Sequence, residues 1–353
     1  KVDARALRAP ERTRDDAAAA TNDDEAVLLR IFRELFATEH VGVDDDFFDL
    51  GGSSLVAVRL LDQVQEQFAV ELSIQALFAD ATPRGIARTV RAPLDASQQL
   101  PLAQMQQDAA LCDNLLVLRH APRRELSSRT VLVTGATGFF GQHVLRELLA
   151  GDSERIYCLV RGDDPAQARR RLRDALAAMA VPFDKRIEVI CGDLSRPDFG
   201  LTPNHLADLA RELTMVVHIA AHVDFLRPYA QLRQANVLGT HHVLALCADF
   251  DLPLHHVSSI GVFADPRAAQ LNTIDETIDL KQFEQPVGGY AQSKWVCEQM
   301  VRTAATRGLR VAIHRPGRLV ADSQTGKGND DDFVTAMLIL SRDLGRIVAV
   351  PGM

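Results

Sequence analysis

The sequence predicts two unlike folds in tandem: a small α-helical bundle over residues 23–92, then an α/β doubly wound parallel sheet over residues 129–353. Three observations carry this. Apolar residues recur at three- and four-residue spacing from Asp24 onward, the period of amphipathic helices. From Thr130 the pattern changes to short apolar runs alternating with longer amphipathic segments, as βαβ units require. Between the two, Pro93, Pro101 and Pro122 punctuate a polar interval in which periodicity weakens.

Residues 1–22 mix Pro, Arg, Asp and an alanine run and read as a lead-in. Val27, Leu28, Ile31, Phe32 and Leu35 then form the stripe of a first helix, which Asn22, Asp23 or Asp24 is placed to cap. A loop from Gly42 to Gly52 leads into a second helix, opened by Ser54 and buried through Leu55, Val58, Leu61, Val64 and Phe68. A short helix from Ile74 to Phe78 and another after Pro83 complete the bundle. Residues 93–128 read as a linker, with a helix over Ala109 to Leu118. Strands are expected at Val131–Val133, Ile156–Val160, Ile187–Ile190, Val216–Ile219, Pro253–Val257 and Arg310–His314, with helices in the intervals and right-handed crossovers.

Composition narrows the function classes. With 47% apolar and 24% charged residues, the chain is that of a soluble globular protein. A net charge of −8 argues against a nucleic-acid partner, and the run Arg169-Arg170-Arg171 is too short to alter that. The five cysteines are dispersed without a CxxC pair, which fits a reducing cytoplasm. No membrane span or signal pattern is present, and a cytoplasmic location is expected. Lys1 at the start and Met353 after Pro351-Gly352 read as the ends of an excerpt.

The first chemistry-bearing segment is Asp46-Phe47-Phe48-Asp49-Leu50-Gly51-Gly52-Ser53-Ser54-Leu55. It sets a serine at a helix start behind a turn without bulky side chains, where a phosphate would meet free backbone N–H groups. An isolated Gly-Gly-Ser-Ser is more often a plain helix cap; here the aromatic pair before it and the helical stripe after it reverse that balance. The segment resembles a peptidyl carrier protein, and the resemblance implies a 4′-phosphopantetheine arm on Ser54, attached by a phosphopantetheinyl transferase. Ser53 stands where that family often has His or Asp. Residues Lys1 to Leu7 resemble the end of an adenylation domain, which implies adenylation and condensation domains upstream.

The second segment follows the first expected strand: Thr134-Gly135-Ala136-Thr137-Gly138-Phe139-Phe140-Gly141. Glycines at this spacing let a backbone turn tightly against a pyrophosphate at a helix N-terminus, and the strand before and helix after are the context a Rossmann dinucleotide site requires. Arg161 lies 20 residues beyond Gly141 at the end of the second strand. A cation there suits the 2′-phosphate of NADPH, with Arg171 in support, whereas NADH calls for an acid; Asp163 and Asp164 come too late for that role. Farther on, Ser258-Ser259 ends a strand, and Tyr290 and Lys294 lie one helical turn apart. In that order the lysine is expected to lower the tyrosine pKa, the tyrosine to donate a proton to an oxygen gaining charge, and Ser259 to hold the same oxygen.

These features resemble the extended short-chain dehydrogenase/reductases, and within them the thioester reductase domains that end some nonribosomal peptide synthetases. The resemblance runs from about Thr130 to Met353 and implies cofactor contacts from Gly135, Thr137, Gly138, Phe139, Phe140, Gly141, Asp193, Leu194, Ala220, Ala221, Asn236, Ser258, Pro316 and Gly317, besides Arg161, Arg171, Tyr290 and Lys294. It further implies a monomer that takes an acyl or peptidyl thioester from Ser54 and releases an aldehyde, with reduction on to an alcohol left open. Ser259 stands where these reductases usually have threonine, and their smaller C-terminal substrate subdomain lies beyond this sequence. Two alternatives stay open: a carrier–reductase piece of a carboxylic acid reductase, and a platform that binds NADPH without turnover.

Overall fold

The structure is a computed structural model that describes residues 18–52, 54–68, 70, 72, 77, 80–91, 99–113, 129–225, 227–265, 267–271, 273–283, 286–323 and 325–329. The chain forms two compact units, the first including Lys1–Ser97 and the second spanning Gln98–Lys327.

The first unit holds α1 (Asp23–Phe36), α2 (Ser54–Phe68) and α3 (Pro83–Arg91). Of the three candidate caps for α1, Asn22 is the one used, its side chain accepting from the Glu25 N–H at 3.0 Å. The helix stops at Ala37, whose left-handed φ of 49° breaks the helical path. Leu28, Ile31 and Phe32 of α1 meet Ala57, Leu60 and Val64 of α2, with Phe47 buried between. On α2 Val64 is buried as expected, but Ala57 and Leu60 are buried where Leu61 was expected and is only half-buried; the side chains of Leu55 and Val58 lie outside the described set. Of the expected helix at 74–78 only Leu77 is described, buried in this core.

The second unit begins earlier than its first strand. Helix α4 (Gln99–Ala109) and a 3₁₀ turn (Ala110–Cys112) lie within the interval read as linker and send Met105 and Cys112 into the main core. The expected helix over 109–118 is corrected accordingly; residues 114–118 lie outside the described set. The amphipathic signal of α4 is weak because its decisive contacts are polar. Asp108 accepts from the Tyr229 hydroxyl at 2.6 Å and from Arg233 Nε and Nη2 at 2.7 Å each.

Six strands follow, β1 (Arg129–Thr134), β2 (Ser153–Val160), β3 (Ile187–Cys191), β4 (Met215–His218), β5 (Leu254–Val257) and β6 (Val311–His314), each overlapping its expected run. They form one parallel sheet in the order β3-β2-β1-β4-β5-β6. Alternation decides the layers: Val131 and Val133 face one core with Leu145 of α5 (Phe139–Ala150) and Leu172 of α6 (Pro165–Ala178). Leu132 faces the other core, with Leu209 of α7 (Pro203–Glu212), Leu244 of α9 (Gly239–Asp249) and Met300 of α10 (Gly289–Thr306). Between β4 and α9 runs the short α8 (Tyr229–Arg233), joined to α9 by a π-helical turn (Gln234–Leu238). Because the chain steps outward from β1 in both directions, β1 and β4 flank a switch point, where such sheets open a ligand crevice at the strand C-termini.

Candidate active site

At the switch point the loops after β1 and β4 touch. Gly135 leaves β1 with φ of +80°, and a Cβ there would stand 2.6 Å from the Ala220 nitrogen. A Cβ on Gly141 would lie 2.0 Å from the Gly135 carbonyl oxygen, so neither position has room for a side chain. Gln142 steadies the loop by donating Nε2 to the Thr137 carbonyl at 3.0 Å. Asn22, Asp164 and Thr202 cap α1, α6 and α7 with side-chain oxygens, but α5 starts at Gly138 with no side-chain cap. The amides of Phe139, Phe140 and Gly141 thus open a helix that brings its positive end, without a capping side chain, to the crevice. That is a cradle suited to a pyrophosphate.

One edge of the crevice is charged. Arg161 follows β2, is exposed, and accepts at its carbonyl a hydrogen bond from the Arg171 guanidinium, which brings the Arg171 side chain to the turn after β2. Asp193 follows β3. Burial works to raise its pKa, but Ser195 N and Oγ, at 2.9 and 2.7 Å, and the charges of Arg161 and Arg196 hold it below the ordinary range. Leu194, next in the chain, is fixed by its carbonyl, which accepts from His242 Nδ1 at 2.8 Å.

The floor is a buried polar chain. Thr240 Oγ donates to the Asn236 carbonyl at 2.7 Å, which makes it the acceptor for His218 Nε2 at 3.0 Å. His218 Nδ1 is then left to accept from Thr134 Oγ at 2.7 Å. Burial and the nearby Lys294 charge push the His218 pKa down to about 3, so the ring is neutral. Thr134 Oγ also receives the Ala220 N–H at 3.3 Å, tying this chain to the cradle. The Asn236 side chain sits in the π turn, accepts from His222 N at 2.7 Å, and donates to His222 O at 3.1 Å and Ser293 Oγ at 3.0 Å.

Tyr290 and Lys294 lie on α10, but they are not coupled as the spacing suggested. Lys294, 3% exposed, donates Nζ to the Val257 carbonyl at 2.8 Å, and burial pushes its pKa down against the pull of Cys297 and Glu298. Tyr290 is pushed up to about 12, first by burial and then by Cys297. The expected lowering is therefore reversed, because desolvation of the phenol dominates. Ser259 lies beside the first turn of α10: a Cβ on Gly261 would stand 3.3 Å from Ser259 Oγ and 3.8 Å from Ala291 Cβ. Its hydroxyl accepts from Gly261 N at 3.0 Å. Ser258 donates Oγ to Glu298 at 2.7 Å. Glu298 is fully buried; burial would raise its pKa, but Arg315, Ser258 and Arg302 together hold it down. Pro316 accepts at its carbonyl from Ile260 N at 3.1 Å, and Gly317 follows in an exposed loop. The hydrogen-bonding parts played by Thr134, Thr240 and Glu298 are not legible in the motifs. Thr134 and His218 are register partners on neighbouring strands, a relation visible only once β1 and β4 pair.

In the first unit Gly51 adopts φ of +92° and its N–H donates to Phe48 O at 2.9 Å, while a Cβ on Gly52 would lie 2.2 Å from the Phe47 ring. The turn is tight because Phe47 fills the core beneath it, and it delivers the chain to Ser54, the first residue of α2. Ser53 and the Ser54 side chain lie outside the described set.

Among the described residues no group of three His, Cys, Asp or Glu is placed to hold a metal, and no helix is long and apolar enough to cross a membrane.

Fold and site together define a carrier bundle followed by a Rossmann-type reductase. The NAD-binding family described as "Male sterility protein" matches residues 133–353, and the family "Phosphopantetheine attachment site" matches residues 26–90. A linear gramicidin synthase polypeptide of Brevibacillus parabrevis is 33% identical over 372 residues, covering 100% of this chain and 7% of that protein, so the chain spans a small part of that relative. The terminal R domain from the myxalamid PKS-NRPS pathway is 38% identical with a TM-score of 0.65, covering 69% of this chain and 63% of that one. A thiolation-reductase di-domain from an archaeal non-ribosomal peptide synthetase is 26% identical with a TM-score of 0.65, covering 90% and 67%. The chain belongs to the carrier-plus-reductase termini of nonribosomal peptide synthetases, its second unit a member of the NAD-binding reductase family.

Proposed function

We propose that this chain carries an acyl or peptidyl thioester on a phosphopantetheine arm at Ser54 and releases it reductively with NADPH as an aldehyde. The observation that carries the reading is the uncapped glycine cradle of α5 at the switch point, tied through Thr134 and His218 to the buried Lys294, one helical turn from Tyr290. When bound there, the dinucleotide supplies a hydride. The chain's own residues do the rest. The amides of Phe139, Phe140 and Gly141, with Thr137 and Gly138, would hold the pyrophosphate; Asp193 and Leu194 would meet the adenine. Ala220, Ala221, Asn236, Pro316 and Gly317 would line the nicotinamide half.

Arg161, with Arg171, favours NADPH, since a guanidinium fork pairs with the 2′-phosphate where an acid would repel it. Ser258 is given no direct contact, because its hydroxyl is committed to Glu298. Tyr290 is protonated near neutral pH and donates its phenolic proton to the thioester carbonyl oxygen as that oxygen gains charge, with Ser259 holding the same atom. Lys294 would leave the Val257 carbonyl for a ribose hydroxyl and supply the positive charge that the forming phenolate needs. Departure of the thiol leaves the aldehyde and returns the arm for reloading. The same reading gives the chain upstream adenylation and condensation domains, a phosphopantetheinyl transferase as partner, a cytoplasmic location and a monomeric state.

The test is single-turnover NADPH oxidation with aldehyde trapping, after an acyl-phosphopantetheine is loaded enzymatically onto the full chain. Aldehyde is expected with the unaltered protein and not with Ser54→Ala or Tyr290→Phe. NADPH binding and full loading without aldehyde would overturn reductive release and favour a binding platform.

A further inference from the structure

Large apolar side chains left half-exposed are informative when they gather at one opening. Here one of them packs on Tyr290, and others lie in the segments that carry Tyr290, Ser259 and Phe225. Phe225 is 51% exposed, and its ring meets the Tyr290 ring edge-on, centroids 5.4 Å apart at 72°. Val223, two residues before it, is 57% exposed. Ile260, directly after Ser259, is 57% exposed, and Val287, three residues before Tyr290, is 51% exposed. Three separate segments thus each flank a proposed catalytic residue and present an aliphatic or aromatic side chain outward.

The segment carrying Phe225 is also held in place. The buried Asn236 amide accepts from His222 N at 2.7 Å and donates to His222 O at 3.1 Å, pinning the backbone three residues before Phe225. The same amide donates to Ser293, on the turn of α10 that follows Tyr290, so ring and phenol are referenced to one fixed point. Arg227 N and Nε donate to the Asp224 carboxylate at 3.2 and 3.0 Å, linking the chain before and after Phe225. A half-exposed phenylalanine fixed edge-on to the acid of a carbonyl reduction has a simple use.

We propose that Phe225 is a specificity-determining residue that selects acyl groups carrying an apolar side chain on the carbon next to the thioester carbonyl. Val223, Ile260 and Val287 extend the same apolar rim. Polar or charged groups at that carbon are disfavoured because they would lose water against the ring without a hydrogen-bond partner. The inference rests on the reductive reading of the site.

Its test compares acyl-pantetheine thioesters with an isobutyl-type or a carboxymethyl-type substituent at that carbon, using the full chain and Phe225→Ala, Phe225→Leu and Phe225→Ser. NADPH binding, read by fluorescence, reports that each variant is folded and is expected to be unchanged. For the unaltered chain, kcat/KM is expected to favour the apolar substrate; Phe225→Ala and Phe225→Ser should reduce that preference about tenfold or more, mainly through KM for the apolar substrate, and Phe225→Leu should restore most of it. An equal loss on both substrates, or no change in preference, overturns the role of Phe225 while leaving the reductase reading intact. No turnover of either substrate by the unaltered chain that binds NADPH overturns the reductase reading and this inference with it.

Discussion

At the scale of single residues, charge state decides what each group does. Tyr290 is pushed up to about 12, so it is an acid in waiting rather than a phenolate. Tyr290→Phe should lower turnover by roughly 10²–10⁴-fold while NADPH binding persists, measured by single-turnover kinetics beside fluorescence titration. Arg161 is the only member of its pair directly at the end of β2. Arg161→Ala should cut the preference for NADPH over NADH by about 10- to 100-fold, the worth of a charge-assisted hydrogen bond, read as a ratio of dissociation constants. His218 carries a pH consequence. Its folded pKa, about 3, lies below its value of 6.5 when solvated, so between those pH values the unfolded chain binds the extra proton. The stability associated with the neutral ring is complete above about pH 6.5 and is lost as pH falls toward about 3, by up to ~1.4 kcal/mol per unit for one group. A His218→Gln variant should show a flatter dependence of its denaturation midpoint across that window.

At the scale of elements, the informative case is α4. It lies in an interval punctuated by prolines, and its helical apolar pattern is thin, yet it is fastened to α8 by one buried carboxylate. Asp108 is 1% exposed and takes three short hydrogen bonds from Tyr229 and Arg233. Burial works to raise its pKa, but the Arg233 and Tyr229 donors outweigh it and keep the carboxylate charged. Asp108→Ala leaves Arg233 without its partner and should cost the reductase about 3 kcal/mol, seen as a lower melting temperature, and Asp108→Asn should also destabilise, because its amide nitrogen would face an Arg233 donor where an acceptor is needed. A chain begun at residue 129 should likewise melt below one begun at residue 98, since Met105 and Cys112 are part of the main core. The glycine loop is the opposite kind of element, legible because its constraint is local. Gly135, Gly138 and Gly141 sit between a strand and a helix in the sequence itself, and the structure adds only why Gly141 has no room: the Gly135 carbonyl, 2.0 Å from its would-be Cβ.

At the scale of the whole molecule, the tandem order is the functional statement. An acyl group attached at Ser54 would meet the reductase at an effective concentration set by the connecting chain, of order millimolar for short flexible connections. Reduction of the tethered thioester should therefore follow first-order kinetics with a rate constant unchanged by diluting the protein, while reduction of a free acyl-pantetheine should be second-order; comparing the two over a dilution series checks it. How much of this is legible in sequence follows from range. The helical bundle, all six strands and the glycine loop after β1 are readable because periodicity and turn chemistry are written in neighbouring residues. Local pattern misplaces helix α4 and misjudges the Tyr290–Lys294 coupling, both for the same reason. Asp108 meets Arg233 across 125 residues, and Lys294 meets Val257 across 37. Sequence by itself determined what the two folds are and which chemistry each carries, because backbone preference and hydrophobic period act locally. Only the tertiary structure decided which buried polar groups satisfy one another, because a desolvated charge takes whatever partner the packing brings within hydrogen-bond reach.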